Sequence, residues 1–237
     1  MGKYLYFTGQ TARGIYMTQN RVSFRQKKNF AREMLEKRAM DEMKKWAESE
    51  RGALRVLVSL LYDRDKVICY RAAEALGIVA AVMIAQNPES IRELLRRLFW
   101  SMNDESGNLC WYAPEAIGEI LYNVPSLCSE FCGILASFLV EEPFEKGTRL
   151  AISRIATADQ EVFCPFGDKI AASLDNPDPG ICGASLMALD VLDAEIDIDK
   201  VKRLESNTET LDIYNYEKGE MDIVSIGSLA SKYLKKQ

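Results

Sequence analysis

The run Asp63-Arg-Asp-Lys-Val-Ile-Cys-Tyr-Arg-Ala-Ala-Glu-Ala-Leu-Gly77 decides the fold, because it joins a polar turn to a helix built largely from short side chains. The chain repeats the pattern at Leu109-Cys-Trp-Tyr-Ala-Pro-Glu-Ala-Ile-Gly118, in register at an aliphatic, a Cys, an aromatic, an Ala, a Glu-Ala pair, a second aliphatic and a Gly. Weaker copies stand at Gly147-Thr-Arg-Leu-Ala-Ile-Ser-Arg-Ile-Ala156 and Ile181-Cys-Gly-Ala-Ser-Leu-Met-Ala-Leu-Asp190. The last residues of the four copies follow one another at roughly 34 to 41 residues, a period that suits stacked helical hairpins and no sheet. Small residues at Ala72, Ala73, Gly77, Ala113, Ala116 and Gly118 let stacked helices approach closely.

Each copy reads as the second helix of a hairpin. The apolar period places first helices at 51–62 (Leu54, Val58, Leu61), 88–102 (Pro88 in the first turn, Leu94, Leu98), 125–140 (Phe131, Leu135, Phe138) and 161–174. A longer helix at 24–49, apolar along Phe30, Met34, Met40 and Met43, supplies the polar-faced terminal cap that such arrays need. At the other end Glu209–Tyr216 alternates as a strand, Glu217-Lys-Gly-Glu220 reads as a turn, and Met221–Val224 returns before a short helix at 225–234. A two-stranded hairpin is marginal alone, so it must pack on the last repeat or offer an edge to a partner. The expected organisation is a basic N-terminal arm (1–23), a capping helix (24–50), a repeat solenoid (51–205) and a C-terminal β-hairpin plus helix (206–237).

The Asp-x-Asp turn, the aliphatic Ile68 and the Ala-Ala-x-Ala-Leu-Gly helix resemble the HEAT repeat, which implies an all-α superhelical solenoid of helical hairpins. More narrowly, the Glu105-Ser-Gly107 turn, Trp111 and Ala113–Glu119 resemble a family of HEAT-repeat proteins from anaerobic bacteria and archaea, over about residues 50 to 230. A more distant likeness is to phycobilisome-lyase-type HEAT-like repeats. The distant likeness implies an interaction or chaperone module for a cofactor-bearing partner, and the family resemblance supplies no activity; the function expected here is a non-catalytic binding scaffold, with an assembly factor or accessory subunit of an anaerobic redox enzyme as one form of it.

The composition removes several classes. There is no His, so the usual general base and the commonest metal ligand are missing. No phosphate-cradling glycine loop, nucleophile elbow or Cys-x-x-Cys occurs. The start MGKYLYFTGQ lacks a secretory apolar core and no stretch is apolar for long enough to cross a membrane, so a cytoplasmic protein is expected. The net charge is −5, yet residues 1–28 carry Lys3, Arg13, Arg21, Arg25, Lys27 and Lys28 with no acid, which leaves an acidic body that is a poor phosphate binder. Cys69, Cys110 and Cys182 occupy one repeat position at about a helix spacing of roughly 10 Å, too far apart for a disulfide or a shared metal. Cys128 and Cys132 share a helix face, and two thiolates alone are an incomplete site. All are expected to be reduced, half-buried small hydrophobes, with no metal and no cofactor.

On a helix starting near Leu109, Trp111, Glu115 and Glu119 form one exposed row with Tyr112 beside it. Tyr70, Arg71 and Glu74 correspond in the preceding repeat, and Arg149 and Ser153 in the following one. On the concave wall of a HEAT array this set suits another protein or peptide, with the turn Asp104, Glu105, Ser106 and Gly107 at its edge. Nucleic acid, a membrane and a small molecule are disfavoured as partners. The bland alternative makes Trp111 a gap filler and the arginines neighbours of surface acids. Two enzymatic alternatives stay open: a HEAT-like DNA glycosylase cradling a base with Trp111 and Tyr112 near Glu115, and a lyase or cofactor-handling enzyme using Glu105, Glu115 or Cys110.

Overall fold

The computed structural model describes residues 22–103, 107–192, 194 and 196–236. Almost all of the basic arm and the turn residues Asp104, Glu105 and Ser106 therefore lie outside the described residues. The helices are α1 (Phe24–Glu36), α2 (Met40–Ser49), α3 (Ala53–Leu60), α4 (Lys66–Met83), α5 (Pro88–Met102), α6 (Ala113–Asn123), α7 (Cys128–Ser137), α8 (Glu145–Ala156), α9 (Gly167–Ala171), α10 (Pro179–Leu192), α11 (Ile198–Leu204) and α12 (Ile226–Leu234). Strands β1 (Thr210–Asn215) and β2 (Glu220–Ser225) precede α12.

Helices α4, α6, α8 and α10 stack side by side as one layer, backed by α3, α5, α7 and α9. This is the expected all-α solenoid of helical hairpins with a small C-terminal β-hairpin. Short side chains set the spacing of the inner layer: a Cβ built at Gly77 would stand 2.5 Å from the Glu119 carbonyl oxygen, and one at Gly118 would stand 2.8 Å from the Ala151 Cβ. The core is continuous, with Leu57, Leu60, Leu76, Leu95, Ile117, Ile120, Leu135, Ile152 and Leu189 buried. Helix starts follow their capping residues. Ser23 accepts from the Gln26 N–H at 3.3 Å while Gln26 Oε1 accepts from the Ser23 N–H at 2.8 Å, a reciprocal cap. Asp65 Oδ1 accepts from the Val67 N–H at 2.9 Å, and Asn87 caps α5 ahead of Pro88.

Three expectations need correction. The helix at 24–49 is two helices, α1 and α2, because Arg38 takes the left-handed conformation (φ 52°) and ends the first. The helix at 161–174 is a chain of short turns around α9, with Pro165 inside the first of them. The helix expected near Leu109 begins at Ala113 instead, because four more turn-ward residues would set the Pro114 ring against the Cys110 carbonyl. Trp111 therefore precedes the helix rather than riding on it.

The C-terminal hairpin pairs antiparallel, Thr210 opposite Ser225 and Tyr214 opposite Met221. It packs on the last repeat, where Leu211 fills the space over Gly183 of α10, and it also crosses the inner layer back to α4. Among the described residues no single helix is long and apolar enough to cross a membrane.

Candidate functional site

The hairpin covers most of the wall that the sequence pattern left open. Tyr214 stacks on Tyr70 with ring centroids 5.2 Å apart, and its hydroxyl donates to Glu74 Oε2 at 2.7 Å. Lys66 pairs with Asp212 at 2.6 Å. Arg71 Nε donates to the Gly219 carbonyl at 2.9 Å while its Nη1 donates to the Leu35 and Glu36 carbonyls. Arg38 reaches the Tyr216 and Glu217 carbonyls from the left-handed break and also pairs with Glu74 at 3.2 Å. Tyr70, Arg71 and Glu74 thus serve as the hairpin's seat rather than as open surface.

The expected exposed row does not exist as one row. Glu119 is 1% exposed and holds Arg154 at 2.7 Å, whose guanidinium lies between the Tyr122 and Tyr216 rings at 3.6 and 4.1 Å. Burial raises the Glu119 carboxyl above its ordinary range, and Arg154 opposes that rise. Arg149 is 1% exposed, with Nε donating to Ser185 Oγ at 2.9 Å, Nη1 to the Leu139 and Glu145 carbonyls at 2.9 and 2.8 Å, and Nη2 to Ser173 Oγ at 2.5 Å. It ties α8 to α10 from inside. Ser153 is likewise buried and donates to the Met187 carbonyl at 3.2 Å.

Trp111 alone of the row is open, at 63% exposure. It stands at a cleft of about 720 Å³ formed where the turns before α4, α6, α8 and α10 line up. Glu115 is on its floor, 6% exposed, with Tyr70 Oη donating to its Oε1 at 3.4 Å and Oε2 left without a partner. Desolvation raises the Glu115 carboxyl to about 7, although its own backbone N–H, Lys146, Tyr70 and Lys66 all favour the ionised form. Lys146 also lines the cleft, and burial lowers its ammonium, with Lys66 adding repulsion. Tyr112 is half-buried with its ring edge-on to Tyr70 at 5.4 Å, and Gly107, with φ 82°, is exposed.

Of the cleft lining, the sequence reading named Tyr70, Trp111, Tyr112 and Glu115 and missed the rest, Lys66, Glu142, Glu145, Lys146 and Asp178 among them. A signal was present, since Asp63-x-Asp65 returns as Asn176-x-Asp178 before α10, where Asp178 Oδ1 accepts from the Gly180 N–H at 2.6 Å. Aligned turns imply a shared ridge. The cysteines are buried more deeply than expected except Cys164, which is exposed, and burial pushes the Cys69 thiol up to about 12 and Cys110 and Cys182 up to about 11. Among the described residues no group of three potential metal ligands gathers.

With this geometry in hand, the likeness to solved structures is informative. A designed armadillo repeat protein, solved with a (KR)4 peptide, aligns over 90% of this chain and 90% of its own at a TM-score of 0.56 and 19% identity. An engineered protein of known crystal structure aligns over 92% of each chain at a TM-score of 0.56 and 16% identity. The chain has an α-solenoid repeat fold. At these identities the likeness extends to the fold alone. An uncharacterized protein of Archaeoglobus fulgidus is 28% identical over 161 residues, covering 67% of this solenoid and 84% of the archaeal chain. No family model matches the sequence.

Proposed function

We propose that this solenoid is a non-catalytic binding scaffold that holds a segment of another protein in the turn-ridge cleft, with Trp111 as its exposed anchor. The observation that carries the reading is an exposed tryptophan at the mouth of an open cleft whose floor holds a buried, incompletely bonded carboxyl. Tryptophan is among the residues that most often dominate binding energy, because it buries a large rigid surface and still offers a donor. The inner-layer wall is already taken by the chain's own hairpin, which moves the partner surface from the wall to the ridge. The (KR)4 complex of the designed armadillo protein supports the general idea that such a stack can hold a peptide. An accessory role beside an anaerobic redox enzyme is the finer form of the same proposal.

The raised Glu115 carboxyl favours a second reading, acid–base chemistry, since carboxyls near 7 in clefts suit proton transfer. Against it, Cys110 is buried and pushed up to about 11, which leaves it a poor nucleophile. A DNA-repair role is disfavoured because Glu142, Glu145 and Asp178 line the same cleft as Lys66 and Lys146, which is no phosphate track.

Selection of a displayed random-peptide library on the purified full chain tests the scaffold reading. Recovered peptides should bind Trp111→Ala at least about tenfold more weakly. Peptides that bind the variant as tightly as the parent would place the partner surface elsewhere. Anoxic purification of the endogenous protein beside the same variant tests the redox-enzyme form.

A further inference from the structure

The C-terminal hairpin crosses the inner layer on two footholds, and a cavity lies between them. Leu211 fills the space over Gly183 of α10, and the Tyr214 ring stacks on Tyr70 of α4 at 5.2 Å. Between these contacts β1 faces α8, where Leu150, Ser153, Arg154 and the capping Thr157 share one side of the helix. Ser153 and Thr157 are short, and a cavity of about 170 Å³ remains, walled elsewhere by Met187, Ile213 and the rings of Tyr70, Tyr214 and Tyr216. Solvent reaches it, since Thr157 is exposed and Leu150, Met187, Ile213 and Tyr216 are half-buried. Its residues come from four elements, so no local pattern in the sequence announces it.

The chemistry of an occupant follows from the partners the lining already has. Arg154, the one charged side chain of that lining, pairs with Glu119 at 2.7 Å and lies over the Tyr216 ring at 4.1 Å. Ser153 Oγ donates to the Met187 carbonyl at 3.2 Å and Thr157 Oγ1 to the Arg154 carbonyl at 2.6 Å. The Tyr70 and Tyr214 hydroxyls donate away from the cavity, to Glu115 and Glu74. An anion would find the guanidinium already neutralised, and a cation would meet its charge. A neutral apolar molecule displaces none of these bonds. Size and shape narrow the class further. An apolar cavity of about 150 Å³ is enough to take benzene. The Tyr214 and Tyr216 rings stand at 89° with centroids 4.9 Å apart, a corner in which a further ring packs edge-to-face against one of them, and the Met187 thioether is a favourable neighbour for its edge.

We propose that this cavity is a binding site for one neutral six-membered aromatic ring, seated against the Tyr214–Tyr216 corner between β1 and α8. The site lies under the hairpin and stands apart from the Trp111 reading, although Tyr70 lines both places. A ring bound there joins β1 to α8, so it favours the seated hairpin over the loosened one.

The test titrates toluene, benzoate and benzylammonium against the full chain while the methyl resonances of Leu150, Met187 and Ile213 are followed by NMR. Toluene should shift all three saturably, raise the thermal midpoint and slow hydrogen exchange in β1, and both ions should bind at least about tenfold more weakly. Thr157→Phe fills the cavity from its exposed side and should abolish the toluene shifts while the thermal transition stays cooperative. Leu150→Phe fills it from a second position and should do the same, which keeps the test decisive if the first variant folds poorly. N-acetylphenylalaninamide separates two sources of the ring: tighter binding than toluene identifies a partner's side chain, and weaker binding identifies a free small molecule. No saturable shift with toluene up to its solubility, an ion that binds as tightly, or toluene shifts that persist in folded filling variants would each overturn the site.

Discussion

Glu115 is the residue at which folding and binding are in tension. Its folded-state pKa, about 7, stands above the ordinary 4.5, so between those values the folded chain keeps a proton that the unfolded chain has released. Stability contributed at this site therefore falls as pH rises from 4.5 to 7, by about 3 kcal/mol, and the penalty is complete above 7. Glu115→Gln should remove it: the variant gains on the parent as pH rises through that window, measured by urea denaturation at a series of pH values. A constant difference between the two curves would mean that the carboxyl does not titrate as its burial requires. Arg149 makes the opposite case, a buried cation stabilised by neutral acceptors. Arg149→Met should cost about 3 kcal/mol, because Leu139, Glu145, Ser173 and Ser185 lose their donor together. A loss under about 1 kcal/mol would show that water replaces the guanidinium. Neither role was legible in the sequence. A Glu or Arg on the polar side of a helical pattern reads as solvent-facing, and what covers Glu119 is Tyr216, nearly a hundred residues away and invisible to local periodicity.

At the scale of elements, contact distance decides what the sequence allows. The Gly77 and Gly118 positions were legible as close approaches, since in-register small residues have few other uses in a stacked helix. Gly118→Ala gains up to about 1 kcal/mol of helix propensity, but its Cβ would meet the Ala151 backbone at 2.9 Å, and overpacking of that kind costs about 1–3 kcal/mol. Net destabilisation is expected by thermal or chemical denaturation, and a stabilised variant would contradict the close stacking of α6 on α8. The strands of the hairpin were also legible, from alternation and the Glu217-Lys-Gly-Glu220 turn. Its seat was not, because nothing local announces that Arg38 ends α1 in order to reach the Tyr216 and Glu217 carbonyls. Arg38→Ala should raise hydrogen exchange across β1 and β2 and lower stability by about 1–3 kcal/mol. Unchanged protection there would mean that Tyr214 and Lys66 suffice to hold the hairpin.

For the whole molecule, the repeat register implied a stack of hairpins, and the structure adds a closure: a C-terminal hairpin laid across the inner layer from α10 to α4. That closure moves the open surface from the wall to the ridge of turns, and it leaves Trp111 as the exposed member of the expected row. The solenoid reading survived because it rests on a period of many residues; the site reading shifted because it rested on local periodicity, which shows neither the hairpin laid on the wall nor the start of α6 at Ala113. The measurement that tests the ridge-cleft scaffold most directly is the fluorescence of Trp111 in a chain carrying Trp46→Phe and Trp100→Phe, titrated with a library-selected peptide. Burial of the indole in the complex should shift its emission to shorter wavelength with the same midpoint as binding measured by calorimetry. A peptide that binds by calorimetry while the emission stays in its solvent-exposed position would contradict the assignment of the cleft at Trp111 as the binding surface.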